Sequence, residues 1–153
     1  MPRRRLPVQD TQVQDVQAWV VPDLTPILHK LARQYFPDAK ALPVIVWHFP
    51  RRKTTNEVTF GWYRPCEKFI YISLALSQPW VPRKFLQYIV YHELCHFMQD
   101  VYPVEGEPVH SDRFLEWEAR MPGAAKWDAW SQTNLDQYIR EHNRLVKASN
   151  GGR

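Results

Sequence analysis

The stretch Pro82-Arg83-Lys84-Phe85-Leu86-Gln87-Tyr88-Ile89-Val90-Tyr91-His92-Glu93-Leu94-Cys95-His96-Phe97-Met98-Gln99-Asp100 decides the fold. Phe85, Leu86, Ile89, Val90, Leu94, Phe97 and Met98 recur at steps of three and four, the helical period, and Pro82 suits a first turn. The spacing predicts one helix over about 82–100. Its apolar face is broad, and a helix that is apolar around most of its girth has to be buried. A central helix is therefore expected, with the rest of the chain built around it.

Upstream, Pro43-Val44-Ile45-Val46-Trp47-His48-Phe49 is β-branched and aromatic and reads as a strand closed by Pro50. Residues 57–63 read as a second strand. Residues 69–74 read as a third, hairpinned to the second through the turn at 65–68. Before these, Leu24, Ile27, Leu28, Leu31 and Tyr35 mark a helix from Pro22 to Phe36. Downstream, the Pro- and Gly-bearing stretch from Tyr102 to Pro108 is a loop. A short helix is expected from about His110 to Arg120, ended by Met121-Pro122-Gly123. Leu135, Tyr138, Ile139, His142, Leu145 and Val146 mark the last helix. The order α-β-β-β-α-α-α gives an α+β class, with a small, mainly antiparallel three-stranded sheet packed on the central helix. Residues 1–21 are expected to form a loosely held arm, 22–148 one domain, and 149–153 a flexible tail.

The bulk figures fit that scheme. A chain of 153 residues, 44% apolar and 14% aromatic, suits one domain with a sizeable core. Thirteen Pro against five Gly favour stiff connections. The net charge of +4 permits contact with nucleic acid or an anionic surface without requiring it. The clusters Arg3-Arg4-Arg5 and Arg51-Arg52-Lys53 read first as a solvated tail and loop. Two cysteines, Cys66 and Cys95, build no disulfide framework. No apolar run approaches the roughly 20 residues of a membrane span. No apolar segment follows the basic start, so no secretory signal is expected and a cytoplasmic location is the default.

The chemistry lies inside the central helix. His92 and His96 stand four residues apart, on one face and one turn from each other, where both imidazoles reach one ion. Zinc is the metal such nitrogens suit. Glu93 sits where its carboxylate can take a proton from a zinc-activated water without being a ligand itself. A catalytic zinc needs a third protein ligand and an open position. His110, after a loop long enough to return the chain, is the first choice; Glu105, Glu107, Asp112 and Glu116 are rivals. The expectation is that His110, Phe114 and Trp117 share the helix face that packs on the central helix. Cys95 points about 100° away from His96 and reads as a buried apolar residue. His29, His48 and His142 read as structural. Tyr63, Tyr102 or an arginine could stabilise an oxyanion, and spacing alone does not choose.

Three features together are similar to the SprT-like zinc metallopeptidases: the hairpin ending in Ile70-Tyr71-Ile72-Ser73, the apolar helix with His92-Glu93-Leu94-Cys95-His96, and the distal His110-Ser111-x-x-Phe114. The likeness covers about residues 22–125. It implies a minimal zincin core, zinc as cofactor on His92, His96 and His110, Glu93 as general base, and a polypeptide substrate lying along the edge strand at 57–63. Many such proteins continue into a four-cysteine zinc ribbon, which two cysteines cannot build. The function expected is peptide-bond hydrolysis. The alternatives are a non-catalytic zinc-stabilised module binding nucleic acid or protein, and a zinc hydrolase of a non-peptide amide. An N-terminal arm lying over the cleft would make the enzyme latent.

Overall fold

A computed structural model describes residues 21–151. The expected N-terminal arm and Arg3-Arg4-Arg5 lie outside the described residues. The chain folds as helix α1 (Leu24–Tyr35), strands β1 (Val44–His48), β2 (Gly61–Arg64) and β3 (Phe69–Ser73), then a 3-10 turn (Leu74–Ser77). Helices α2 (Arg83–Val101), α3 (Asp112–Ala119), α4 (Ala124–Thr133) and α5 (Leu135–Gly151) follow. The class is α+β, as the pattern of elements predicts. No described helix is long and apolar enough to cross a membrane.

The central helix is α2. Eleven of its side chains are buried, from Phe85 to Met98, and they lie on every side of it. The sheet covers one flank, and α1, α3 and α4 pack around the rest. On α1 the side chain of Asp23 caps the first turn by accepting from the Thr25 amide at 3.1 Å. Leu24, Leu28, Leu31 and Ala32 then form its buried stripe. Tyr91, Tyr138, Phe85 and Phe114 are the largest fully buried side chains, so the core is largely aromatic. Phe85 sits at its middle, with ring centroids 5.4 Å from Phe60, 6.1 Å from Trp127 and 4.5 Å from Trp130.

The sheet has the order β1-β3-β2 and is mixed rather than mainly antiparallel. β2 and β3 are the expected hairpin, with Gly61 opposite Ile72 and Arg64 opposite Phe69. β1 instead pairs in parallel with β3, from Val44 opposite Phe69 to His48 opposite Ser73. The connection between β1 and β2 is long enough to carry the chain over the end of β3 to the far edge, and a period-2 pattern carries no information on which edge that is. The second strand is also shorter than expected, beginning at Gly61 and not at Glu57. A Cβ on Gly61 would lie 2.8 Å from the Tyr71 carbonyl oxygen and 3.5 Å from Ile89 on α2. The first distance is a clash and the second ordinary contact, so it is the close pairing with β3, where Ile72 would also lie 2.9 Å away, that requires glycine here.

Three helical boundaries differ from the expectation. The short helix starts at Asp112, so His110 precedes its cap, Ser111, and is not on the helix. Residues 124–133 form a helix, α4, that periodicity alone did not reveal; Trp127 is its one buried residue. The last helix runs through Ser149 and Asn150 to Gly151, three residues expected in the tail. The basic stretch at 51–53 is an exposed loop, as expected. It is anchored to α5 by a His142 Nε2 bond to the Arg52 carbonyl at 2.7 Å and by Asn143, whose amide group bonds the Thr54 backbone at 2.9 and 2.8 Å.

Candidate metal centre

His92 and His96 project from one face of α2 with ring centroids 4.9 Å apart. The His110 ring comes down from the loop ahead of α3, 5.4 Å from His92 and 5.0 Å from His96. One nitrogen from each ring lies within 4.8 Å of the other two. Tetrahedral zinc at about 2.0–2.1 Å places its ligand nitrogens roughly 3.3 Å apart. Closing the set therefore takes a movement of roughly 1 Å or less per ring. The donor set fits the metal: three imidazoles, half-buried to exposed, facing one open side.

Beneath the three rings lies Phe114, fully buried, with its centroid 5.1 Å from His92, 4.5 Å from His96 and 4.9 Å from His110. Truncating such a ring costs about 3–5 kcal/mol, so the platform under the site is part of the core. Trp117 does not share that platform; it packs edge-on against Phe36, 5.4 Å away, and under the Arg113 guanidinium at 4.5 Å. His110 is thus aimed by its loop and by Phe114, not by a helical face common to all three residues.

Two side chains hold the helical histidines by their outer nitrogens. Glu118, on α3, accepts from Nδ1 of His92. Gln99, one turn beyond His96, accepts from its Nδ1 at 3.1 Å. Each partner puts the ring proton on Nδ1 and leaves Nε2 free to ligate. Neither residue was picked out from the sequence, yet each carries a signal. Glu118 stands four residues after Phe114 on the same helix, and Gln99 three after His96. Gln99 also ties the helix to the His110 loop, donating from Nε2 to the Pro108 carbonyl at 3.3 Å and to Ser111 Oγ at 3.4 Å. Ser111 caps α3 through the Phe114 amide at 3.1 Å and donates to Glu107 at 2.6 Å. Glu107 in turn takes a forked pair of bonds from Arg113 at 2.9 and 2.6 Å.

The rival carboxylates stand apart from this cluster. Glu107 is committed to Arg113 and Ser111, which hold its carboxyl below the usual range. Glu105, Asp112 and Glu116 are exposed and stand outside the histidine cluster. Cys95 is fully buried, and burial pushes its thiol up, so it stays protonated and apolar in role.

Glu93 is 6% exposed. Burial pushes its carboxyl up to about 7; His92 draws it back and Glu118 adds to the rise. Burial also lowers His96 to about 4, helped by His92, while the Gln99 bond works against it. For His92 burial acts downward too, but the Glu118 bond and the charges of Glu93, Glu118 and Asp128 outweigh it, and its pKa is raised.

The site forms the floor of an open cleft of about 590 Å³. Gly61, Trp62 and Tyr63 of β2 make one wall, and the loop from Pro103 to Val109 the other. Among the described residues, no Lys or Arg lines it. Of the candidate oxyanion partners, Tyr63 faces the cleft and Tyr102 does not line it. The Tyr63 hydroxyl donates to Asp100 at 2.6 Å. Burial and that bond raise its pKa, so it remains a proton donor. Asp100 is itself pushed up by burial, but Lys68 and Tyr63 more than offset this and hold it ionised. No protein-family model, curated protein or solved structure matches this chain.

Proposed function

We propose that the chain is a zinc-dependent metallopeptidase, with His92, His96 and His110 as metal ligands and Glu93 as general base. One observation carries the reading. A carboxylate that belongs to no ion pair among the described residues is buried directly beside three converging imidazoles, on the floor of an open cleft. A zinc held only for structure needs no such group and is usually closed off by a fourth protein ligand.

Bound there, zinc would polarise the scissile carbonyl and acidify a water. Glu93 takes the proton of the attacking water and hands it to the leaving amine nitrogen. Glu118 and Gln99 keep His92 and His96 in the ligating tautomer. Tyr63 stands on the cleft wall with its one proton committed to Asp100, and would have to turn from that bond to serve an oxyanion.

The cleft favours an extended polypeptide over a small amide. β2 is an edge strand, paired on one side with β3, and its other side borders the cleft. An extended peptide can pair with such an edge and be held in register across the floor. Among the described residues the cleft offers no lysine or arginine to a phosphate backbone, which favours a polypeptide over nucleic acid for this face.

The test is Glu93→Gln. The variant is expected to hold one zinc, by elemental analysis, and to lose cleavage of an unfolded protein such as casein by at least about a thousandfold. Cleavage at the parent rate by the zinc-loaded variant would sink the mechanism.

A further inference from the structure

Beside Glu93 a second, smaller cavity of about 230 Å³ opens between α2 and α4. Gly61, His92 and Glu93 line both this cavity and the cleft. An extended chain lying along β2 therefore passes its mouth next to the reacting groups. The walls are apolar: Phe60, Phe85 and Ile89, the last two buried. The polar groups are Tyr88, from α2, and Asp128 and Ser131, both from α4. Asp128 is exposed and forms no ion pair among the described residues.

A side chain entering this space lays an aliphatic stem against aromatic and aliphatic walls and ends beside a carboxylate that has no cation. Lysine and arginine have that form, a long apolar stem with a charged tip that stays in water. A shorter apolar side chain leaves Asp128 unpaired, and an acidic one meets it with like charge. The volume admits one long side chain and no folded element.

Resting on the peptidase reading above, we propose that this cavity is the enzyme's side-chain subsite and that Asp128 makes it select lysine or arginine at one fixed position beside the bond cut. α4 is then more than a buttress: it carries the group that chooses the substrate.

The experiment begins with the zinc-loaded parent acting on a mixture of unstructured peptides, with cut sites mapped by mass spectrometry. One position flanking the cut is expected to be enriched in Lys and Arg. Three peptides differing only there, with Lys, norleucine or Glu, then measure the preference. Norleucine keeps the stem and removes the charge. The parent is expected to cleave the Lys peptide about fivefold better than norleucine in kcat/KM, the size of an exposed ion pair, and less so in high salt. Asp128→Asn should bring that ratio to about one, and Asp128→Lys should place Glu above Lys. Asp128 is exposed, so neither substitution threatens the core. Efficient cleavage with no preference at any position, or a Lys-to-norleucine ratio that survives in Asp128→Asn, overturns the subsite and leaves the peptidase standing. Failure of the parent to cut any peptide removes both readings.

Discussion

His92 and His96 reach the candidate metal centre from the best-buried helix among the described residues, whereas His110 reaches it from an exposed loop. The two helical rings have their spacing set by the backbone and their tautomers by Glu118 and Gln99. The third depends on a chain of weaker devices: the ring of Phe114, the Ser111 cap, the Glu107–Arg113 fork and the amide of Gln99. The comparison suggests a division of labour. On the zinc reading proposed above, the helix would supply a rigid pair and the loop a third ligand freer to adjust as ion and substrate arrive, since loops open more readily than packed helices.

The strongest way to break that comparison is to remove the ligands one at a time. His92→Ala and His96→Ala are expected to hold no zinc at micromolar metal, because each leaves a single helical donor. His110→Ala should keep the helical pair and bind with affinity lower by on the order of a thousandfold, water taking the empty position. Chelator competition measures all three. If His110→Ala binds as tightly as the parent, a different third ligand is present; if it loses zinc as fully as the helical variants, the division of labour is wrong.

A smaller effect is expected at Glu118. Its carboxylate accepts from His92 Nδ1 across the α2–α3 interface. Glu118→Gln keeps the shape and an acceptor but removes the charge that makes the imidazole a better donor to metal. Zinc affinity should fall by about 10–100-fold with thermal stability of the metal-free protein little changed. Unchanged affinity would mean that the backbone alone orients His92. A matching loss of stability would mean that the contact serves packing of α3.

These two cases also mark how far the sequence can be read. Four-residue spacing on an apolar helix is a local signal, so His92, Glu93, His96 and the central helix itself were legible. His110 was legible as a residue but not in its setting, because a Ser cap can open a helix just after a ligand as readily as the ligand can open it. Glu118 and Gln99 follow from helical spacing only once the packing of α3 on α2 is known. β1 shows the same limit: its β-branched run marks a strand, while its parallel pairing depends on where a long connection carries the chain. α4 was missed because its periodicity is faint; Trp127 is buried, Trp130 is half-buried, and the residues between are polar or small. Long-range pairings are decided by the whole packed structure, and no window of residues contains them.

The smallest expected effect is at Gln99, and it bears most directly on the difference between helix and loop. Its two ends do separate work. Oε1 serves His96 at 3.1 Å, while Nε2 reaches the Pro108 carbonyl and Ser111 Oγ at 3.3 and 3.4 Å, lengths typical of weak bonds. Gln99→Ala removes both functions. Gln99→Glu keeps an acceptor for His96 and removes the donors to the loop, while setting a second carboxylate near the Ser111–Glu107 pair. Since each such bond contributes on the order of 1 kcal/mol or less, zinc affinity should fall only about three- to tenfold in the alanine variant. Amide exchange across residues 103–111 should quicken in both variants, because both cut the tie to the loop. Zinc affinity should fall less in Gln99→Glu, where His96 keeps its partner. If the loop amides exchange at the parent rate in both, the loop is held by the Arg113 fork and the Ser111 cap alone, and Gln99 acts only on its own helix.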